Sequence, residues 1–150
     1  MVRAKVKYVH GGAIAILTLL SIFISAPTTS ADTSPIVSTI TTAPGISIDT
    51  SLYLPTKVPA PAIMIAHGFG GSKDSVATEA KKFAENGYVV MTWSARGFGK
   101  STGEISMNAI NGEVADTRAL LNALAQNKNV LRKGSDPVVG IMGGSYGGAN

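Results

Sequence analysis

The sequence predicts an α/β fold with a mainly parallel central sheet, and three observations carry that prediction. Short apolar runs at 62–66, 88–93 and 138–142 lack the polar alternation of a strand with one wet face, so each reads as buried on both faces. Longer amphipathic segments separate them, giving the order strand, helix, strand, helix, strand. A glycine-bearing loop follows each run directly, where strands of such a sheet end and backbone must turn sharply.

Taken in order, the chain starts with Arg3, Lys5 and Lys7 before an uncharged stretch from Gly11 to Ile24 and small residues through Ala31. Positive end, apolar centre and small-residue cleavage site make residues 1–31 a secretory signal peptide, cut before Asp32, with an uncleaved anchor as the competing reading. The apolar run is short for a bilayer crossing, which needs about 20 residues. Residues 32–45, dominated by Thr, Ser, Pro and Ala, read as a flexible linker, and residues 46–150 as the folded domain. Ile46, Ile48, Thr50, Leu52 and Leu54 alternate as a half-buried strand. Pro55, Pro59 and Pro61 delay the next one, Ala62–Ala66.

The loop His67-Gly-Phe-Gly-Gly-Ser72 follows. Its glycines, Gly68 among them, allow backbone to approach a reacting atom closely. A helix over about 75–86 is capped by Ser72 and Asp74, carries Val76, Ala77, Ala80, Phe83 and Ala84 on one stripe, and stops at Asn86-Gly87. After the strand Tyr88–Trp93, the loop Ser94–Ser101 nearly fits the phosphate-binding pattern G-x-x-x-x-G-K-[ST], but Ser94 stands where its first glycine belongs. Thr102-Gly103-Glu104 is also a poor helix start, so the preferred reading is a structural loop in which Arg96 pairs locally. A helix over about 112–126 places Val114, Leu120, Leu121 and Leu124 on its apolar side, with Glu113, Asp116 and Arg118 on its surface.

The last strand runs into Gly143-Gly-Ser-Tyr-Gly147, which fits G-x-S-x-G. In that motif a serine sits on a strained strand-to-helix turn with its hydroxyl thrust out of the sheet, and small neighbours avoid a clash. Glycine at 143, 144, 147 and 148 is expected to remove that obstacle. Ser145 is the candidate nucleophile, and the amides of Phe69 and Tyr146 are the candidate oxyanion donors, a contribution of roughly 3–4 kcal/mol per donor. His67 precedes the serine in the chain, so it is expected to orient its loop rather than act as base.

Composition narrows the partners. The net charge of +4 includes Arg3, Lys5 and Lys7; without them 10 basic residues face 9 acidic ones, which gives no signal for nucleic-acid binding. The absence of cysteine excludes disulfides and thiol chemistry. No metal or cofactor is expected. Membrane contact is expected to be transient and through the signal peptide alone.

Three segments, HGFGG at 67–71, SARGFGKSTG at 94–103 and GGSYGG at 143–148, together resemble the α/β-hydrolase superfamily. The last two, with GEVADTRALLNAL between them, look most like its X-prolyl dipeptidyl peptidase and cocaine-esterase-like branch, which includes secreted bacterial members. The likeness covers about 60–150 and implies the N-terminal part of such a fold. It also implies an acyl hydrolase whose partner is a small ester or peptide substrate, with Ser145 as nucleophile and the Tyr146 N–H in the oxyanion hole. One departure stands out: that branch often supplies its other donor from a tyrosine hydroxyl, and Phe69 offers only its N–H. A general esterase or lipase therefore stays open beside an X-prolyl peptidase. So do a non-catalytic product and, more distantly, a nucleotide binder.

In this fold the triad runs Ser, acid, His along the chain. The sequence ends at Asn150, and its histidines are His10 and His67. The expectation is thus a fragment truncated just after the serine, poorly stable and essentially inactive by itself.

Overall fold

A computed structural model of the chain describes residues 33–149; the segment read as a signal peptide lies outside them. A five-stranded mixed sheet has the order β1-β2-β4-β3-β7. Its strands are β1 (Ile36–Ala43), β2 (Ile46–Tyr53), β3 (Ala62–Ala66), β4 (Val89–Trp93) and β7 (Val139–Gly143). β5 (Arg132–Lys133) and β6 (Asp136–Pro137) form a separate two-stranded ribbon just before β7. β2 is antiparallel to both its neighbours, while β3 is parallel to β4 and β7, so β2 alone runs against the rest.

Side-chain alternation sends the two faces of the sheet to different helices. Met64, Ala66, Val89, Met91 and Trp93 pack with Leu120 and Leu124 of α2 (Glu113–Ala125). Tyr53, Ile65 and Val90 pack with Ala80 and Ala84 of α1 (Ala77–Glu85). Each fully buried leucine contributes about 1.5–3 kcal/mol through removal of apolar surface from water. β3 and β4 are therefore buried on both sides, as the sequence indicates. α1 is entered through a 3-10 turn, Lys73–Val76, where the Ser72 hydroxyl accepts from the Asp74 amide. Asn86 closes α1 and Gly87 follows at φ +92°.

Four expectations are corrected. The stretch 32–45 is not a linker throughout, because β1 pairs along β2 from Ile36 opposite Leu52 to Ala43 opposite Ile46. β-Branched Ile, Val and Thr residues suit that edge position despite a polar composition. On α2, Glu113 and Asp116 are buried, 1% and 3% exposed, while Leu121 is 38% exposed. These carboxylates can be buried because each is fully partnered. Arg96 pairs with Asp116, twenty residues away, rather than locally. Finally, β7 is not covered on both faces: Ile141 is 52% exposed, and the far edge of β7 has no partner strand among the described residues.

Candidate active site

β7 ends at Gly143, Gly144 is extended, and Ser145 turns into the left-handed region at φ +54° as the first residue of a 3-10 turn, Ser145–Gly148. A non-glycine residue held there costs about 1–3 kcal/mol and persists only where its surroundings enforce it. The enforcement is close packing. A β-carbon on Gly143 would lie 2.5 Å from the Gly147 oxygen, and one on Gly147 would lie 2.6 Å from the His67 oxygen. Gly144, by contrast, has open space around it, so the expected clash there is absent. Ser145 is exposed, and the next residue, Tyr146, is buried. As the second residue of the turn, Tyr146 has no carbonyl within that turn to which its N–H can donate.

The loop after β3 lies against this bend. A β-carbon on Gly68 would stand 3.8 Å from the Gly144 oxygen. The Phe69 ring, 61% exposed, meets Tyr146 edge-on with centroids 5.7 Å apart, and Phe98 at 5.4 Å. The structure thus brings Gly68, Phe69, Gly143, Ser145, Tyr146 and Gly147 together at one end of the parallel strands. His67 is 1% exposed. Its Nε2 accepts the Ala95 N–H at 3.0 Å, which leaves the proton on Nδ1 to be donated to the Gly68 oxygen at 2.7 Å. With both nitrogens engaged inside the fold, His67 anchors its loop and is not free to take a proton from Ser145.

Beneath the bend lies a polar cluster that the apolar periodicity of α2 does not reveal. Glu113, the first residue of α2, accepts from the Ser106 N–H at 2.6 Å, from the Ser106 hydroxyl, from the Asn108 N–H at 3.1 Å and from the Tyr146 hydroxyl at 3.0 Å. Burial by itself would raise the Glu113 carboxyl. The bonds from Ser106, its own amide and Tyr146 outweigh that and bring it down to about 2. Burial, and then the hydrogen bond to Glu113, push the Tyr146 phenol well above its ordinary range. Beside it, Asp116 holds Arg96 in a two-point pair at 2.6 and 2.9 Å and accepts from Thr42. A sequence signal for Glu113 did exist: it stands seven and eleven residues before Leu120 and Leu124, on the buried face.

The phosphate-loop resemblance finds no support in the geometry. No helix opens at Lys100 or Ser101, and the Ser101 hydroxyl donates to the Ser94 oxygen at 2.6 Å while accepting from the Asp49 N–H at 2.9 Å. Among the described residues no group of three His, Cys, Asp or Glu side chains could hold a metal ion.

Comparison with solved structures places this arrangement in the α/β-hydrolase fold. Epoxide Hydrolase A from Mycobacterium thermoresistibile superposes with a TM-score of 0.57 at 20% identity, over 75% of this chain and 32% of that one. A hypothetical protein from Pseudomonas aeruginosa gives 0.62 at 24% identity, over 75% and 36%. An alpha/beta hydrolase from Penicillium sp. sh18 gives 0.62 at 23% identity, over 73% and 37%. The chain therefore spans about a third of the length of these structures. No curated protein sequence matches it. The family profile of X-Pro dipeptidyl-peptidase (S15 family) matches residues 44–150, so every strand after β1, both glycine loops and the serine bend described above lie within the match, and the chain belongs to the S15 family of α/β hydrolases.

Proposed function

We propose that the polypeptide carrying this sequence is an exported serine hydrolase that cleaves an ester or an X-prolyl peptide bond through an acyl-enzyme on Ser145. The observation that carries the reading is an exposed serine at φ +54° between two glycines that tolerate no β-carbon, on a bend packed against the loop of Phe69. In the proposed chemistry the Ser145 oxygen attacks the carbonyl carbon, and the amides of Phe69 and Tyr146 stabilise the charge on the tetrahedral oxygen. The alcohol or amine then leaves with a proton, and water hydrolyses the acyl-serine. Phe69 lacks a hydroxyl, so its contribution is limited to its N–H; that favours keeping a simple ester beside the X-prolyl substrate.

The step needs a base, and both nitrogens of His67 are already engaged. On this reading residues 33–149 alone present nucleophile and donors but do not turn over substrate. In the full-length protein, a fluorophosphonate should label Ser145. Hydrolysis of p-nitrophenyl acetate or glycyl-prolyl p-nitroanilide should fall by about 10⁴-fold or more in Ser145→Ala. A protein that hydrolyses neither substrate and takes no label contradicts the assignment. The relative rates on the two substrates decide between ester and peptide. Export rests on the three-part layout of residues 1–31; it predicts that the protein recovered outside the cell begins at Asp32 on N-terminal sequencing.

A further inference from the structure

The loop leading into α2 contains two consecutive left-handed residues that are not glycine, Met107 at φ +53° and Asn108 at φ +64°. Such a pair is strained and needs an external hold. Glu113 provides it, because its carboxylate gathers the N–H groups of Ser106 and Asn108 together with the Ser106 hydroxyl. Room for this packing comes from Gly112, where a β-carbon would fall 2.0 Å from the Ser106 hydroxyl oxygen. The same carboxylate accepts the Tyr146 hydroxyl, and the Asn108 side-chain amide donates to the Tyr146 carbonyl at 3.3 Å. Tyr146 is therefore held at its ring end directly and at its carbonyl through the strained loop.

We propose that Glu113 is a positioning residue for the serine bend, holding Tyr146 at its phenol and at its carbonyl, on either side of the α-carbon, so that the N–H on that same residue stays aimed at the reacting oxygen. The inference rests on the hydrolase reading above and adds a role for a carboxylate that touches neither Ser145 nor substrate. Removing the hold lets the amide drift while the serine and the substrate pocket remain. The loss then falls on acylation rather than on binding.

The experiment uses the full-length protein with Tyr146→Phe, Asn108→Ala and Glu113→Gln. Tyr146→Phe deletes one oxygen and leaves Glu113 its other donors, so it keeps the proposal falsifiable even where Glu113→Gln does not fold. The second-order rate of fluorophosphonate labelling at Ser145, corrected for folded fraction, should fall about 10- to 100-fold in Tyr146→Phe, with kcat reduced and KM for p-nitrophenyl acetate unchanged. Asn108→Ala should show a smaller loss of the same kind. A purely structural role predicts a lower Tm with an unchanged labelling rate per folded molecule, and that result overturns the proposal while leaving the hydrolase reading intact. No label on Ser145 in the unmutated protein overturns both.

Discussion

Gly143 and Gly147 stand either side of Ser145, and what an added methyl would meet differs sharply from what Gly144 offers. At Gly147 the obstacles are the His67 oxygen at 2.6 Å and the Ala66 β-carbon at 2.8 Å. Both belong to a strand end fixed by the two hydrogen bonds of His67, so they cannot give way easily. Gly147→Ala should therefore destabilise the protein by about 1–3 kcal/mol through overpacking, read as a lower urea midpoint. Gly144→Ala, with nothing within 4 Å, should leave that midpoint unchanged. The need for small residues around the serine was legible in the sequence because the clash is local. Which glycines are obligatory was not, because the answer depends on how closely the loop after β3 approaches. The anchoring role of His67 was inferred from its place in the chain, and the bonds that enforce it became visible only in three dimensions.

At the scale of one element, α2 teaches where periodicity fails. Its buried face runs Glu113, Asp116, Thr117, Leu120 and Leu124, so three of its five residues are polar, and an apolar count alone places the carboxylates in solvent. The partners that make their burial affordable come from distant segments: Arg96 and Thr42 for Asp116, the 106–108 loop and Tyr146 for Glu113. No local pattern could supply them. Arg96→Ala should cost about 3–5 kcal/mol, because it leaves Asp116, 3% exposed, without its counter-charge. A double replacement by Met and Leu should cost less than the sum of the single ones in a denaturation cycle. Glu113 makes a pH prediction with a definite sign. Its folded carboxyl titrates at about 2 against an ordinary value of 4.5, so its stabilisation is complete above 4.5 and disappears as pH falls toward 2. The shift corresponds to about 3 kcal/mol, and a Tm series from pH 6 to pH 2 should show the decline. Glu113→Gln should flatten that decline.

For the whole molecule, strand order was the part sequence could not reveal. The pattern of apolar runs yields parallel strands β4, β3 and β7 and the helices between them, but β1 reads as linker because its Thr and Ser content hides an edge pairing. β7 is the opposite case, a strand whose composition belongs in an interior and whose surroundings are open. Ile141 and Met142, 52% and 37% exposed, border an edge with no partner among the described residues. Such an edge templates further pairing. The protein comprising residues 33–149 should therefore self-associate at micromolar concentration, with Ile141→Lys lowering the mass seen by light scattering. The strand that presents Ser145 is also the rim of the sheet. Any polypeptide that zips onto that rim shelters Ile141 and arrives alongside the serine in one movement. Architectural closure of that edge and chemical competence of the bend would then be a single event.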